Sequence, residues 1–84
     1  MLQQDITSQL TDYILNELAS RAPESRPGAD FPIIEAGLVD SLGLFKLISF
    51  IEEKYAVKIA PDEILFENFA TIGAITALIQ SKLK

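Results

Sequence analysis

The 84-residue sequence contains no cysteine and no histidine. Without cysteine there is no disulfide framework, no thiolate nucleophile and no cysteine-ligated zinc. Without histidine, the usual general base of neutral-pH catalysis and the commonest nitrogen ligand of transition metals are gone as well. No metal ligands and no catalytic set are assigned, and the chain is not expected to be an enzyme. Long apolar runs are also missing. The longest, around positions 42 to 51, is interrupted by Lys46, whereas a membrane-spanning helix takes about 20 apolar residues. The opening Met1-Leu2-Gln3-Gln4-Asp5 has neither the basic nor the apolar region of a secretory signal. A cytoplasmic location without membrane attachment is therefore expected.

What is present is an acidic, apolar-rich chain: hydrophobic residues make up 49% and the formal net charge is −5. At this length a single domain spanning 1–84 is expected, with nearly every helix contributing to one core. The negative charge disfavours unassisted binding to nucleic acid and favours partners with basic docking surfaces.

Helical periodicity organises the sequence. Ile6, Leu10, Ile14 and Leu18 recur every fourth position and predict a first helix from about Asp5 to Ala19. Residues 21–39, broken by Pro23, Pro27, Gly28 and Pro32, predict a long loop, with Pro27-Gly28 suited to the centre of a type II turn. Phe31, Ile33, Ile34, Leu38 and Val39 should pin its second half onto the helices. A second helix is predicted over Ser41–Tyr55, with Leu44, Phe45, Ile48, Ile51 and Tyr55 on one broad face and Leu42, Leu47 and Phe50 widening the apolar arc. Val57-Lys58-Ile59 reads as an extended linker. Pro61-Asp62-Glu63 opens a short third helix reaching about Phe66. Thr71 caps a last helix with Ile72, Ile75, Ile79 and Leu83 on one face, in which Gly73 would let another helix approach. The expected fold is all-α: an irregular four-helix bundle of three longer helices and one short one, with a long loop between the first two.

One dipeptide stands out in "GLVDSLGLFKL", residues 37–47. Asp40 can cap the second helix by accepting from the N–H of Leu42 or Gly43. Ser41 is then free at the positive end of that helix, where an attached phosphate would meet backbone donors and a favourable dipole. An ordinary capping pair with no covalent role is the other way to read the same two residues.

The surroundings favour the first. Gly37-Leu38-Val39-Asp40-Ser41-Leu42, then Ile51-Glu52-Glu53-Lys54-Tyr55, then Glu67-Asn68-Phe69-Ala70-Thr71-Ile72 together resemble the acyl and peptidyl carrier protein family over essentially the full length. The resemblance implies 4′-phosphopantetheine, transferred from coenzyme A by a phosphopantetheinyl transferase and attached to Ser41 with Asp40 and Leu42 beside it. Asp40 would help present Ser41 and hold the transferase's magnesium ion. The thiol of the arm would carry acyl or aminoacyl cargo as a thioester. An acyl- or aminoacyl-loading ligase and downstream acyl-using enzymes become the expected partners.

By the same resemblance, Leu42, Phe45, Lys46, Ser49, Glu52 and Glu53 are candidate partner-binding positions, although core packing suits Phe45 equally well. Gly43, Leu44, Phe45 and Lys46 stand where fatty-acid carriers usually show acids, so Lys46 should repel enzymes of primary fatty-acid synthesis. Asp-Ser-Leu-Gly-Leu with the later Glu-Asn-Phe looks like small carriers of specialised metabolism, and the start at Met1 suggests a free-standing, monomeric carrier. A fatty-acid synthesis carrier and an unmodified helical interaction module are the alternatives. A hydrolase using Ser41 with Lys46 is disfavoured, because positions 41 and 46 face different sides of a helix.

Overall fold

The computed structural model describes residues 3–18 and 27–83. Its elements in order are α1 (Gln3–Tyr13), a π-helical continuation (Ile14–Leu18), α2 (Ser41–Tyr55), a 3₁₀ turn (Pro61–Glu63), α3 (Phe66–Phe69) and α4 (Ile72–Lys82). The all-α bundle expected from the sequence is present, with no named strand among the described residues. The first helix's predicted end at Ala19, and the loop up to Arg26 with Pro23, lie outside those residues.

The core is aliphatic and continuous. Ile6, Leu10 and Ile14 from α1 and its continuation meet Leu47 and Ile51 of α2, Ile72, Ile75 and Ile79 of α4, and Ile33 and Val39 of the loop, all buried. Two threonines are buried with them and satisfied locally: Thr11 Oγ1 donates to Thr7 O at 2.7 Å and Thr76 Oγ1 to Ile72 O at 2.9 Å. Thr7 and Thr76 hydroxyls meet at 3.1 Å, fixing the register of α1 against α4. Tyr55 donates to Gln9 Oε1 at 2.6 Å, joining α1 to the end of α2; burial raises the phenol above its ordinary pKa of 10.0.

Three predicted details are corrected. Gly28 does not adopt positive φ, so no type II turn is centred on Pro27-Gly28; the turn lies two residues later, around Ala29-Asp30, with Phe31 N donating to Gly28 O at 3.1 Å. Helix three does not run from Pro61 to Phe66. Glu63 reaches back to the amide of Ala60 at 2.8 Å, and Leu65 N bonds to Glu63 O at 2.9 Å around Ile64 at φ −84, ψ 71, the geometry of an inverse γ-turn. That turn ends the 3₁₀ segment, and helix resumes only at Phe66, helped by Asn68 Nδ2 donating to Glu63 O at 2.8 Å. Gly73 admits a loop rather than a helix: its amide donates to Ala29 O at 2.9 Å, and a Cβ there would stand 3.2 Å from that oxygen.

Of the remaining expectations for this half of the chain, that for Leu83 fails as well. Thr71 caps α4 by accepting from Ala74 N at 3.0 Å, and 57–59 is a linker without regular structure. Leu83, expected on the inner face of the last helix, instead caps its end and is 41% exposed.

Candidate functional site at the start of α2

Residues 32–38 build the approach to α2. Ala36 N bonds to Pro32 O, Gly37 N to Ile34 O and Leu38 N to Ile33 O, at 2.9, 3.0 and 2.9 Å. A single helical turn thus ends on Gly37 at φ +82, with the paired bonds of a Schellman ending. Only glycine adopts that backbone without steric cost. The turn reverses the chain, buries Leu38 and Val39 and delivers Asp40 to the head of α2.

Asp40 has extended backbone, and its Oδ1 accepts from Gly43 N at 2.7 Å, as predicted from the sequence. The carboxylate lies so close to the first turn that a Cβ on Gly43 would stand 3.2 Å from Oδ1 and 3.4 Å from Val39 Cγ1. Gly43 is therefore part of the cap. Ser41 is exposed as the first residue of α2. Among the described residues, the amides of Ser41 and Leu42 have no protein acceptor, so the helix tip keeps two donors for an anion. An exposed hydroxyl with unpaired amides beside it fits a phosphodiester.

Beyond Ser41, the helix presents a stripe. Leu42 is 73% exposed and Phe45 63% exposed, followed by exposed Lys46, Ser49 and Glu53. Their spacing sets them along one side of α2. Phe45 does not pack in the core. The inner face of α2 is Gly43, Leu47, Ile48, Ile51 and Tyr55, turned from the face drawn by periodicity because its first buried position is a glycine. Glu52 stands apart from the stripe: half-buried, it accepts from Ile59 N at 2.9 Å and holds the linker after the helix. Leu65 and Phe66, 46% and 56% exposed, are apolar surface that the sequence reading missed. Their signal was an apolar run, Ile64-Leu65-Phe66, with no periodic partner.

The phosphopantetheine attachment site family matches residues 8–79. The chain belongs to that family. It is 32% identical over 74 residues to the probable acyl carrier protein PigG of Serratia sp. (strain ATCC 39006), covering 84% of this chain and 85% of that protein. Its fold matches, with a TM-score of 0.73 and 31% identity, a chain in the crystal structure of an FAD-dependent dehydrogenase, covering 83% of this chain and 97% of that one. As a carrier protein it is not an enzyme; the family bears covalently attached 4′-phosphopantetheine and interacts with phosphopantetheinyl transferases and acyl-using enzymes. No helix among the described residues is long and apolar enough to cross a membrane.

Proposed function

We propose that this carrier protein holds acyl or aminoacyl thioesters on phosphopantetheine attached to Ser41, as a single-domain, monomeric, cytoplasmic carrier of specialised metabolism. The observation that carries the reading is the exposed Ser41 hydroxyl at the head of α2, set out by a cap that uses Asp40 and Gly43 instead. In the attachment step Ser41 Oγ forms a phosphoester bond to the pantetheine-bearing phosphorus of coenzyme A. The bond to the adenosine-bearing phosphate breaks, and the hydroxyl proton passes to a base of the transferase. Asp40 offers that enzyme's magnesium ion a carboxylate oxygen. Bound there, phosphopantetheine supplies the thiol that the cysteine-free chain lacks.

The pathway reading rests on the stripe. Leu42, Phe45 and Lys46 present apolar and basic chemistry, which suits partners other than those that read a run of acids. The likeness to a chain in the structure of an FAD-dependent dehydrogenase supports an enzyme of that class among them.

Intact mass after co-expression with a broad-specificity phosphopantetheinyl transferase tests the core of this reading. Wild-type protein should gain one phosphopantetheine and Ser41→Ala should gain none. A wild-type chain left at its polypeptide mass, or modified at another residue, overturns it.

A further inference from the structure

A cleft of about 290 Å³ opens beside Ser41, lined by Ile34, Gly37, Val39, Asp40, Ser41 and Leu44. Its walls come from the Schellman turn on one side and the first turns of α2 on the other. Val39 is buried, while Ile34 and Leu44 are half-buried with apolar surface still open. Gly37 keeps the rim low: a Cβ at that position would meet nothing within 4 Å. The only ionisable group in the lining, Asp40, has Oδ1 engaged with Gly43 N.

We propose that this cleft is a docking site for the pantoyl segment of the carrier's own prosthetic arm. The inference rests on Ser41 as the attachment point, because that bond decides which atoms arrive at the rim. From the serine oxygen outward, the arm presents a phosphodiester, then a methylene, then a carbon bearing two methyl groups. The negatively charged phosphodiester is repelled by Asp40 and is held outside by the amides of Ser41 and Leu42. The two methyls follow within a few bonds and match the apolar walls of Ile34, Val39 and Leu44. The amide-rich remainder of the arm has no apolar reason to enter and stays in water with its thiol. The volume of about 290 Å³ leaves room for a compact branched group. Burying two methyl groups favours the docked arm by about tenfold over the free one. The arm therefore rests with its root folded against the loop and its thiol free, and a partner that needs full reach must lift it out.

The test uses holo protein whose modification is verified by intact mass, with the polypeptide labelled in ¹³C and ¹⁵N and the arm unlabelled. Isotope-filtered NOE spectra should show cross-peaks from the pantoyl methyls to Ile34 and Leu44 side chains. In holo Ile34→Ala and Leu44→Ala, phosphodiesterase release of the arm should speed up several-fold, up to tenfold. Mass-verified holo protein whose shifts on modification are confined to Ser41 and Leu42, without such cross-peaks, overturns the docking site while leaving the carrier reading intact. Two folded variants that release the arm at the wild-type rate also overturn it. An unmodified mass would instead strike the attachment at Ser41.

Discussion

The amide of Ile33 donates to the carbonyl of Ala70 at 3.1 Å, while the carbonyl of Ile33 accepts from Leu38 and Val39 at 2.9 and 3.1 Å. One buried residue therefore ties the α3–α4 junction to the loop that presents Ser41. A bridge between Pro32 and Thr71, and the bond from Gly73 N to Ala29 O, reinforce the same seam. Ile33→Ala removes packing from a fully buried position and should cost about 2–4 kcal/mol, against about 1 kcal/mol for Ile33→Val. Urea unfolding measures both. Where folded Ile33→Ala persists, it should be modified with a raised KM for the transferase, because the approach to Ser41 loosens.

Asp40 has a capping role that can be separated from its charge. Asp40→Ala loses the bond to Gly43 N and should lose about 1 kcal/mol of stability, whereas Asp40→Asn keeps a good capping group and should stay near wild type. Both should slow phosphopantetheine transfer, since neither offers magnesium a carboxylate. Thermal unfolding beside transfer rates checks the contrast; full transfer to Asp40→Asn would remove the metal role.

Ala56 ends α2 in left-handed backbone at φ 54, a conformation that costs a side-chain-bearing residue about 1 kcal/mol relative to glycine. Ala56→Gly should therefore stabilise the protein by about 0.5–1 kcal/mol, read from the urea midpoint.

Glu63 and Lys82 form an ion pair at 2.6 Å that clips the 3₁₀ turn to the end of α4. The Lys82 ammonium, and next the Ala60 amide, hold the Glu63 carboxyl below its ordinary value of 4.5. A carboxyl lowered in the folded state stabilises above its ordinary range and ceases to do so as pH falls through its folded value. Wild type should thus lose stability on acidification more steeply than Lys82→Gln, and urea midpoints across that range test it.

Leu42, Phe45 and Lys46 are exposed, so Leu42→Ser, Phe45→Ser and Lys46→Glu should each change stability by no more than about 0.5 kcal/mol. Their effect should fall on partners. Lys46→Glu should improve turnover by a fatty-acid ketosynthase or malonyl transferase, and efficient turnover of the wild type would defeat the reading of Lys46.

The sequence made α2 legible to the residue, because Asp40 is a capping side chain and Tyr55 closes an apolar periodicity. The cap of α4 at Thr71 was legible for the same reason. Periodicity left Phe45 open between the buried face and the partner-binding positions, because hydrophobicity counts cannot register Gly43 as a buried position. The break between the 3₁₀ turn and α3 was invisible, since it depends on the Glu63 side chain folding back to Ala60 and on a γ-turn at Ile64, neither of which periodicity records. The Schellman turn was missed although Ile33-Ile34-Glu35-Ala36-Gly37-Leu38 spells it: an apolar turn, a glycine, then an apolar residue. Ser41 itself stood out through local capping chemistry, while its cleft requires two segments to meet in space.

The π-helical winding of Ile14–Leu18 sets where Leu18 falls. Its Cβ lies 3.9 Å from the position a Cβ on Gly43 would take, so the widened turn lays an aliphatic cover over the root of α2. Ordinary α winding of the same five residues would carry Leu18 further around the helix axis and off the root of α2. The start of α2 would then lose that cover, and the angle at which the serine is offered would be left to Val39, the loop's backbone bonds and the Asp40 cap.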